Sequence, residues 1–182
     1  TAELGVSRAP LRAALKILNT EGLIEIMPYY KTIVRHLTRK DIAELYSLRS
    51  VLEGFAARII IERDDQDAIR QLQDIVDNMV VCARTGDALQ TSAIDHQFHD
   101  TLVTLSAHNL LISTWAPVSH RVHQVLALRD MVRRDILVMA ETHYDALQRG
   151  NVAETARLFE EHIMDASDMI VGIWEDSNGS QA

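Results

Sequence analysis

Gly5-Val-Ser-Arg-Ala-Pro-Leu-Arg-Ala-Ala-Leu-Lys-Ile-Leu-Asn-Thr-Glu-Gly22 reads as a tight turn, a capped helix start and a short amphipathic helix. Gly5 permits the turn, Ser7 is placed to cap the helix, and Pro10 falls in the first turn, where its missing N–H costs nothing. Leu11, Ala14, Leu15 and Leu18 then form one apolar stripe, while Arg8, Arg12 and Lys16 recur four apart on another face. Gly22 ends the helix. A turn followed by a helix with a basic outer face is the way a helix-turn-helix presents a recognition helix to the major groove, so the segment points to double-stranded DNA.

The chain continues with two short β-branched runs, Leu23-Ile-Glu-Ile26 and Thr32-Ile-Val-Arg35, around Met27-Pro28-Tyr29-Tyr30-Lys31. This pattern predicts a two-stranded hairpin, or wing. The whole stretch LGVSRAPLRAALKILNTEGLIEI resembles the winged helix of GntR-type bacterial transcription regulators. The resemblance implies that Ser7, Arg8 and Arg12 are DNA contacts. Arg8 or Arg12 is suited to bidentate reading of guanine, and Ser7 and Lys16 to phosphate, with Lys31 on the wing. It also implies a helix before the turn, which the sequence beginning at Thr1 does not include, so an N-terminally truncated winged helix is expected. At the wing tip the family usually carries a glycine, where this chain has Tyr29-Tyr30-Lys31-Thr32.

Charge divides the chain. Residues 1–40 hold seven Lys/Arg against three Asp/Glu, and residues 41–182 hold eleven against twenty-three. A basic end that meets phosphate and an acidic remainder that avoids it suit a DNA-binding domain joined to a sensor. The single Cys82 excludes an intrachain disulfide framework and suits a reducing compartment. No apolar run reaches membrane-spanning length and no signal peptide is evident, so a cytoplasmic protein without membrane partners is expected.

From Thr38 onward the periodicity is helical. Ile42, Leu45, Tyr46, Leu52 and Phe55 keep one helix in phase, and further helices are expected near 66–84, 87–106, 109–128, 131–149 and 152–175. Asp64-Asp65, Gly86-Asp87, His108-Asn109, Arg129-Asp130 and Gly150-Asn151 mark the breaks. The expected architecture is mainly α: a partial winged helix-turn-helix over 1–37, an antiparallel bundle of about six helices over 38–176 and a disordered polar tail over 177–182. DIAELYSLRSVLEGFAAR (41–58) resembles the opening helix of the C-terminal, FCD-type effector domain in the FadR branch of the same regulators.

Asp95 and His99 are four apart, so they project from one side of a helix, at the margin of a stripe made by Ile94, Phe98, Leu102 and Leu105. DHQFH…L…SAHNLL (95–111) matches the Asp-x2-Phe-His motif of the FadR branch, and His162 also matches. The resemblance implies that Asp95, His99 and His162 ligate a divalent metal inside the bundle. The family's fourth ligand falls at position 140, which is Ala140 here. Three outcomes remain open: His143, displaced by one turn, completes the site; His123 on the preceding helix does so; or the site is incomplete. Imidazole with carboxylate suits Zn, Ni, Fe or Mn.

His36, His96 and His108 read as solvent-facing or loop residues, and His120 as undecided. Arg49 and Glu53 read as an exposed i,i+4 pair, with an anion-binding role for Arg49 as the alternative, and His123 as a second candidate effector contact. The expected protein is a homodimeric, non-enzymatic regulator that binds palindromic DNA under control of a small carboxylate or sugar-acid effector. A metabolite-binding dimerisation module and a metal-dependent enzyme are the other classes the sequence leaves open.

Overall fold

The computed structural model describes residues 5, 7–20, 22, 24–27, 31–35, 38–127 and 149–179. The wing tip at 28–30, His36, residues 131–148 of the expected helix at 131–149, with Ala140 and His143, and the last three residues lie outside the described set. The chain forms two compact units, Thr1–Thr38 and Arg39–Ala182.

The first unit contains α1 (Arg8–Thr20) and an antiparallel hairpin of β1 (Ile24–Met27) and β2 (Lys31–Val34). Gly5 and Gly22 both have positive φ, as a turn before and a stop after the helix require. The strands pair Ile24 with Val34 and Met27 with Lys31, so the ladder sits one residue nearer the tip than the β-branched runs suggest. Asn19 accepts a hydrogen bond from the Ile26 N–H at 3.3 Å and so ties α1 to β1. Leu11, Leu15 and Leu18 are half-buried, whereas Ala14 is exposed at the edge of their stripe.

The second unit is all helical among its described residues: α2 (Arg39–Glu62), α3 (Gln66–Thr85), α4 (Ala88–Leu105), α5 (Asn109–Ala127) and α6 (Val152–Gly179). Each break has a chemical cause. Asp65 and Asp87 cap α3 and α4 by accepting from the Ala68 and Gln90 N–H groups, and Gly86 closes α3 in the left-handed conformation. His108 Nδ1 accepts from the Leu111 N–H at 3.1 Å to start α5, and the Asn151 side chain accepts from Glu154 at the start of α6. Arg63 donates to the Leu105 and Ser106 carbonyls, which caps the C-terminal end of α4 from the α2–α3 corner. The tail differs from expectation, because α6 continues to Gly179. Once a long helix is nucleated, each added residue gains a backbone hydrogen bond without a new nucleation cost.

The core joins α2 to α6 and α4, with Tyr46, Ile60, Phe98, Leu102, Phe159 and Ile163 fully buried. Phe98 and Phe159 stack at 6.4 Å between centroids across α4 and α6. Phe55 departs from the expected stripe: it is exposed and meets His108 edge-on. The positions that turn inward on α2 include Arg49, Ser50 and Glu53. Among the described residues no helix is long and apolar enough to cross a membrane.

Candidate functional site

In the first unit, Ser7, Arg8, Arg12 and Lys16 are all exposed along α1, and Lys31 is exposed at the start of β2. The half-buried Leu11, Leu15 and Leu18 lie on another side of α1 from these basic residues. With 3.6 residues per turn, Arg8, Arg12 and Lys16 form a short ridge suited to a groove of alternating base edges and phosphates.

The second unit holds a buried charged cluster. Arg49 is 3% exposed and Glu53 0%, so the exposed-pair expectation is overturned. The cause is register: the face of α2 that carries Ile42, Tyr46 and Ile60 carries Arg49 and Glu53 as well. Arg49 Nε donates to Glu53 Oε1 at 2.6 Å. His99 Nδ1 meets the other oxygen, Oε2, at 2.5 Å, so one carboxylate links α2 to α4. On the far side of the imidazole, His99 Nε2 faces Asp95 Oδ1 at 3.6 Å. His162 of α6 lies parallel to His99 with ring centroids 6.4 Å apart. His99 is therefore inside the core (2% exposed) and not at the margin of the helix.

The charges sustain one another. Burial opposes ionisation of Glu53, but Arg49 and His99 outweigh it and hold the carboxyl below its ordinary value. Burial likewise pushes Asp95 up, and His99, Arg49 and His162 pull it down further than burial raises it. For His99, burial and the nearby guanidinium act against protonation, while Glu53 and Asp95 more than compensate and raise its pKa. Two acidic and two basic groups thus alternate from Arg49 to Asp95, all buried except the Asp95 carboxylate at the solvent end.

Asp95 Oδ1 and His99 Nε2 fit a divalent metal as a neighbouring ligand pair. Two donors about 2.1 Å from a tetrahedral ion stand roughly 3.4 Å apart, close to the observed separation. His162 fits in kind but stands off. Each ring centroid lies about 3.2 Å from a metal bound to that ring, so rings at the observed spacing meet one ion only if it lies directly between them. Among the described residues no three His, Cys, Asp or Glu side chains converge closely enough to hold a metal ion. The call on His143 lies outside the described residues.

The adjacent face of α4 carries a second polar group that the sequence reading missed. His96, expected to face solvent, is only 5% exposed. Its Nε2 lies 3.0 Å from Ser119 Oγ and 3.2 Å from Asp100 Oδ2. Asp100 Oδ1 accepts from Trp115 Nε1 at 2.6 Å and from Ser119 at 2.8 Å. His123 of α5 packs on His96 with centroids 3.2 Å apart, which places it in this group and not beside Arg49 or His99. A groove of about 410 Å³ lies here, lined by His96, Gln97, Asp100, Thr101 and His123 among others. The signal was available in the sequence: His96 and Asp100 are also i,i+4 neighbours, one step round the helix from Asp95 and His99. His108 is the loop residue expected, and His120 is exposed.

A short helix with an exposed basic ridge and a hairpin, in one chain with a helical unit that buries Arg49, Glu53 and His99, is the arrangement these residues build. Residues 44–165 match the FCD domain family, and the chain belongs to the FCD-domain transcriptional regulators of the GntR family. It is 28% identical over 181 residues to the gluconate operon transcriptional repressor of Bacillus subtilis, covering 95% of this chain and 74% of that protein. It is 30% identical over 167 residues to a probable D-xylose utilization operon transcriptional repressor of Paenarthrobacter nicotinovorans, covering 89% and 72%. Among solved structures, a putative GntR transcriptional regulator from Rhodococcus sp. RHA1 superposes with a TM-score of 0.78 at 26% identity, over 94% of this chain and 83% of that one. The E. coli protein McbR/YncC shares the fold, with a TM-score of 0.80 at 17% identity over 95% and 84%.

Proposed function

We propose that this chain is a cytoplasmic, homodimeric regulator of the FadR branch, without enzymatic activity, whose binding to palindromic operator DNA is set by a small carboxylate or sugar acid held in the helical unit. The observation that carries the reading is the buried group Arg49, Glu53, His99 and Asp95. Sealing charges in a core is expensive, and apolar residues of similar volume stabilise a bundle equally well or better, so such a group is a strong candidate for a binding role. A carboxylate ligand finds the complementary chemistry there: a guanidinium and an imidazole that already hold carboxylates. The names of relatives that act on gluconate and D-xylose operons agree with an effector of the sugar-acid or sugar class.

In this reading Asp95 and His99 hold a divalent metal, with His162 closing in and His143 the remaining candidate ligand. The ion, Zn, Ni, Fe or Mn by the chemistry of the donors, would supply a positive centre for a carboxylate or hydroxyl of the effector. The effector acts only through unequal affinity for DNA-competent and DNA-incompetent arrangements. Ser7, Arg8, Arg12, Lys16 and Lys31 form the DNA-contacting surface, with two copies reading two half-sites.

Selection of binding sites from random duplex DNA tests the proposal, with Arg8→Ala/Arg12→Ala as the comparison. Enrichment of one palindrome by the parent chain, lost in the double variant, is the expected result. A failure to enrich any sequence across a range of salt concentrations would sink the DNA-binding reading and leave a metabolite-binding module.

A further inference from the structure

Glu53 stands in the middle of the buried cluster, yet the reading above gives it no contact with metal or effector. Both of its oxygens are already engaged, one by Arg49 Nε at 2.6 Å and the other by His99 Nδ1 at 2.5 Å. Its side chain is 0% exposed, so water is not available to replace either donor. A carboxylate that served only to neutralise Arg49 on the same helix would need one oxygen. Here the second oxygen crosses to α4 and meets the imidazole of the Asp95–His99 pair.

We infer that Glu53 is the positioning residue of this site: by holding His99 through Nδ1 it presents Nε2, and only Nε2, to whatever binds beside Asp95. The inference rests on the proposed role of Asp95 and His99 as the ligand-binding edge. An imidazole has two broad ring orientations related by a half-turn, and nothing within the side chain itself separates them strongly. Turning the ring over would set a carbon against Glu53 Oε2 and leave a buried, charged acceptor unsatisfied. The ring is therefore held in the orientation in which Nε2 faces Asp95 Oδ1. A histidine that donates Nδ1–H to a carboxylate is both oriented and made a stronger donor at Nε2, the arrangement by which outer carboxylates tune metal-binding histidines. Arg49 serves the same end one step back, because its Nε fixes the first oxygen of Glu53.

Glu53→Gln separates positioning from simple filling of space. The amide has nearly the same shape but only one acceptor oxygen, so its NH2 must face either Arg49 Nε–H or His99 Nδ1–H. Arg49 can only donate, whereas a neutral imidazole can change tautomer and accept at Nδ1, so the oxygen stays with Arg49 and His99 loses its Nδ1–H donation. Two measurements on the chain freed of metal and then titrated with Zn(II) or Ni(II) alone decide the matter. In ¹⁵N-histidine NMR of the metal-free chain, His99, assigned with a His99→Gln variant, is expected to show a slowly exchanging Nδ1–H proton that disappears in Glu53→Gln. In calorimetry, metal affinity is expected to fall by about 10- to 100-fold in Glu53→Gln, with the helical circular dichroism unchanged. If the protected Nδ1–H is present and lost in the variant but neither protein takes up metal, the positioning role stands and the metal reading fails. Metal bound by both proteins with equal affinity, or no protected Nδ1–H on His99 in the parent chain, overturns the inference. Should Glu53→Gln fail to fold, the spectrum of the parent chain decides alone.

Discussion

Helix α4 carries two carboxylate–imidazole pairs of the same spacing and opposite order, Asp95 with His99 and His96 with Asp100. They lie one step apart around the helix, and that step gives them different surroundings. The first pair turns toward α2 and α6 and finds Arg49 and Glu53, so each charge is answered by another, with only the Asp95 side chain, 13% exposed, reaching solvent. The second turns toward α5 and finds neutral donors, Trp115 and Ser119, with the Asp100 side chain 44% exposed along a groove. In the first pair electrostatics is unscreened, and removing one member strands the rest. In the second, water and hydroxyls absorb much of the change.

The sharpest way to break this contrast is Glu53→Ala, which leaves Arg49 buried without its partner. Loss of about 3–5 kcal/mol of unfolding free energy is expected in denaturant titration, enough to unfold much of the population of a marginal domain. Trp115→Phe is the matching change on the other face. It removes the indole N–H from Asp100, which still accepts from Ser119, so a loss of about 1–2 kcal/mol is expected in the same experiment. A Trp115→Phe cost equal to that of Glu53→Ala would mean the two pairs are not electrostatically distinct.

Titration of the imidazoles sharpens the comparison because the two faces differ in sign. His99 has a folded-state pKa above its ordinary 6.5: burial and Arg49 oppose its protonation, and Glu53 and Asp95 prevail. The stability it contributes is therefore complete below the unfolded pKa and lost as pH rises through the folded one. His123 has a folded-state pKa below 6.5, lowered first by desolvation and then by His96. Its contribution is complete above the unfolded pKa and lost as pH falls through the folded one. NMR titration of chelator-treated protein should find His99 still protonated at a pH where His123 has become neutral, and the reverse order would refute the contrast. The smallest effect is expected for His123→Ala: the residue is exposed and touches the second group from its edge, so the change in thermal unfolding should correspond to no more than about 0.5 kcal/mol.

Much of the fold was legible in the chain because its signals are local. The caps Asp65, Asp87 and Asn151, the glycines at the turns and the helical period of the apolar residues placed the described helices and hairpin close to their observed limits. The tail was read as disordered from its polarity, yet α6 carries through Gly179, since polarity does not stop a helix already under way. The candidate site was legible in its α4 and α6 members, and on α2 only as an Arg49–Glu53 spacing, read as exposed, with anion binding by Arg49 as the alternative. Asp95 and His99 share a face by spacing alone, and Phe159 and Ile163 carry His162 toward the same region. His96 was misread as exposed because a polar side chain on a helix with apolar residues on several sides gives no sign of which neighbour will cover it.

The order of helices, their caps and the exposed ridge of Arg8, Arg12 and Lys16 follow from residues within a few positions of one another, and so were written in the chain. The meeting of Glu53 with His99, 46 positions apart, follows from how α2 is rotated against α4. That rotation is chosen by the whole apolar packing around Tyr46, Phe98 and Phe159, to which no single local signal corresponds. An i,i+4 Arg–Glu pair looks the same in sequence whether it faces water or the core. Only the packed helices turned it inward and made its carboxylate the bridge between them.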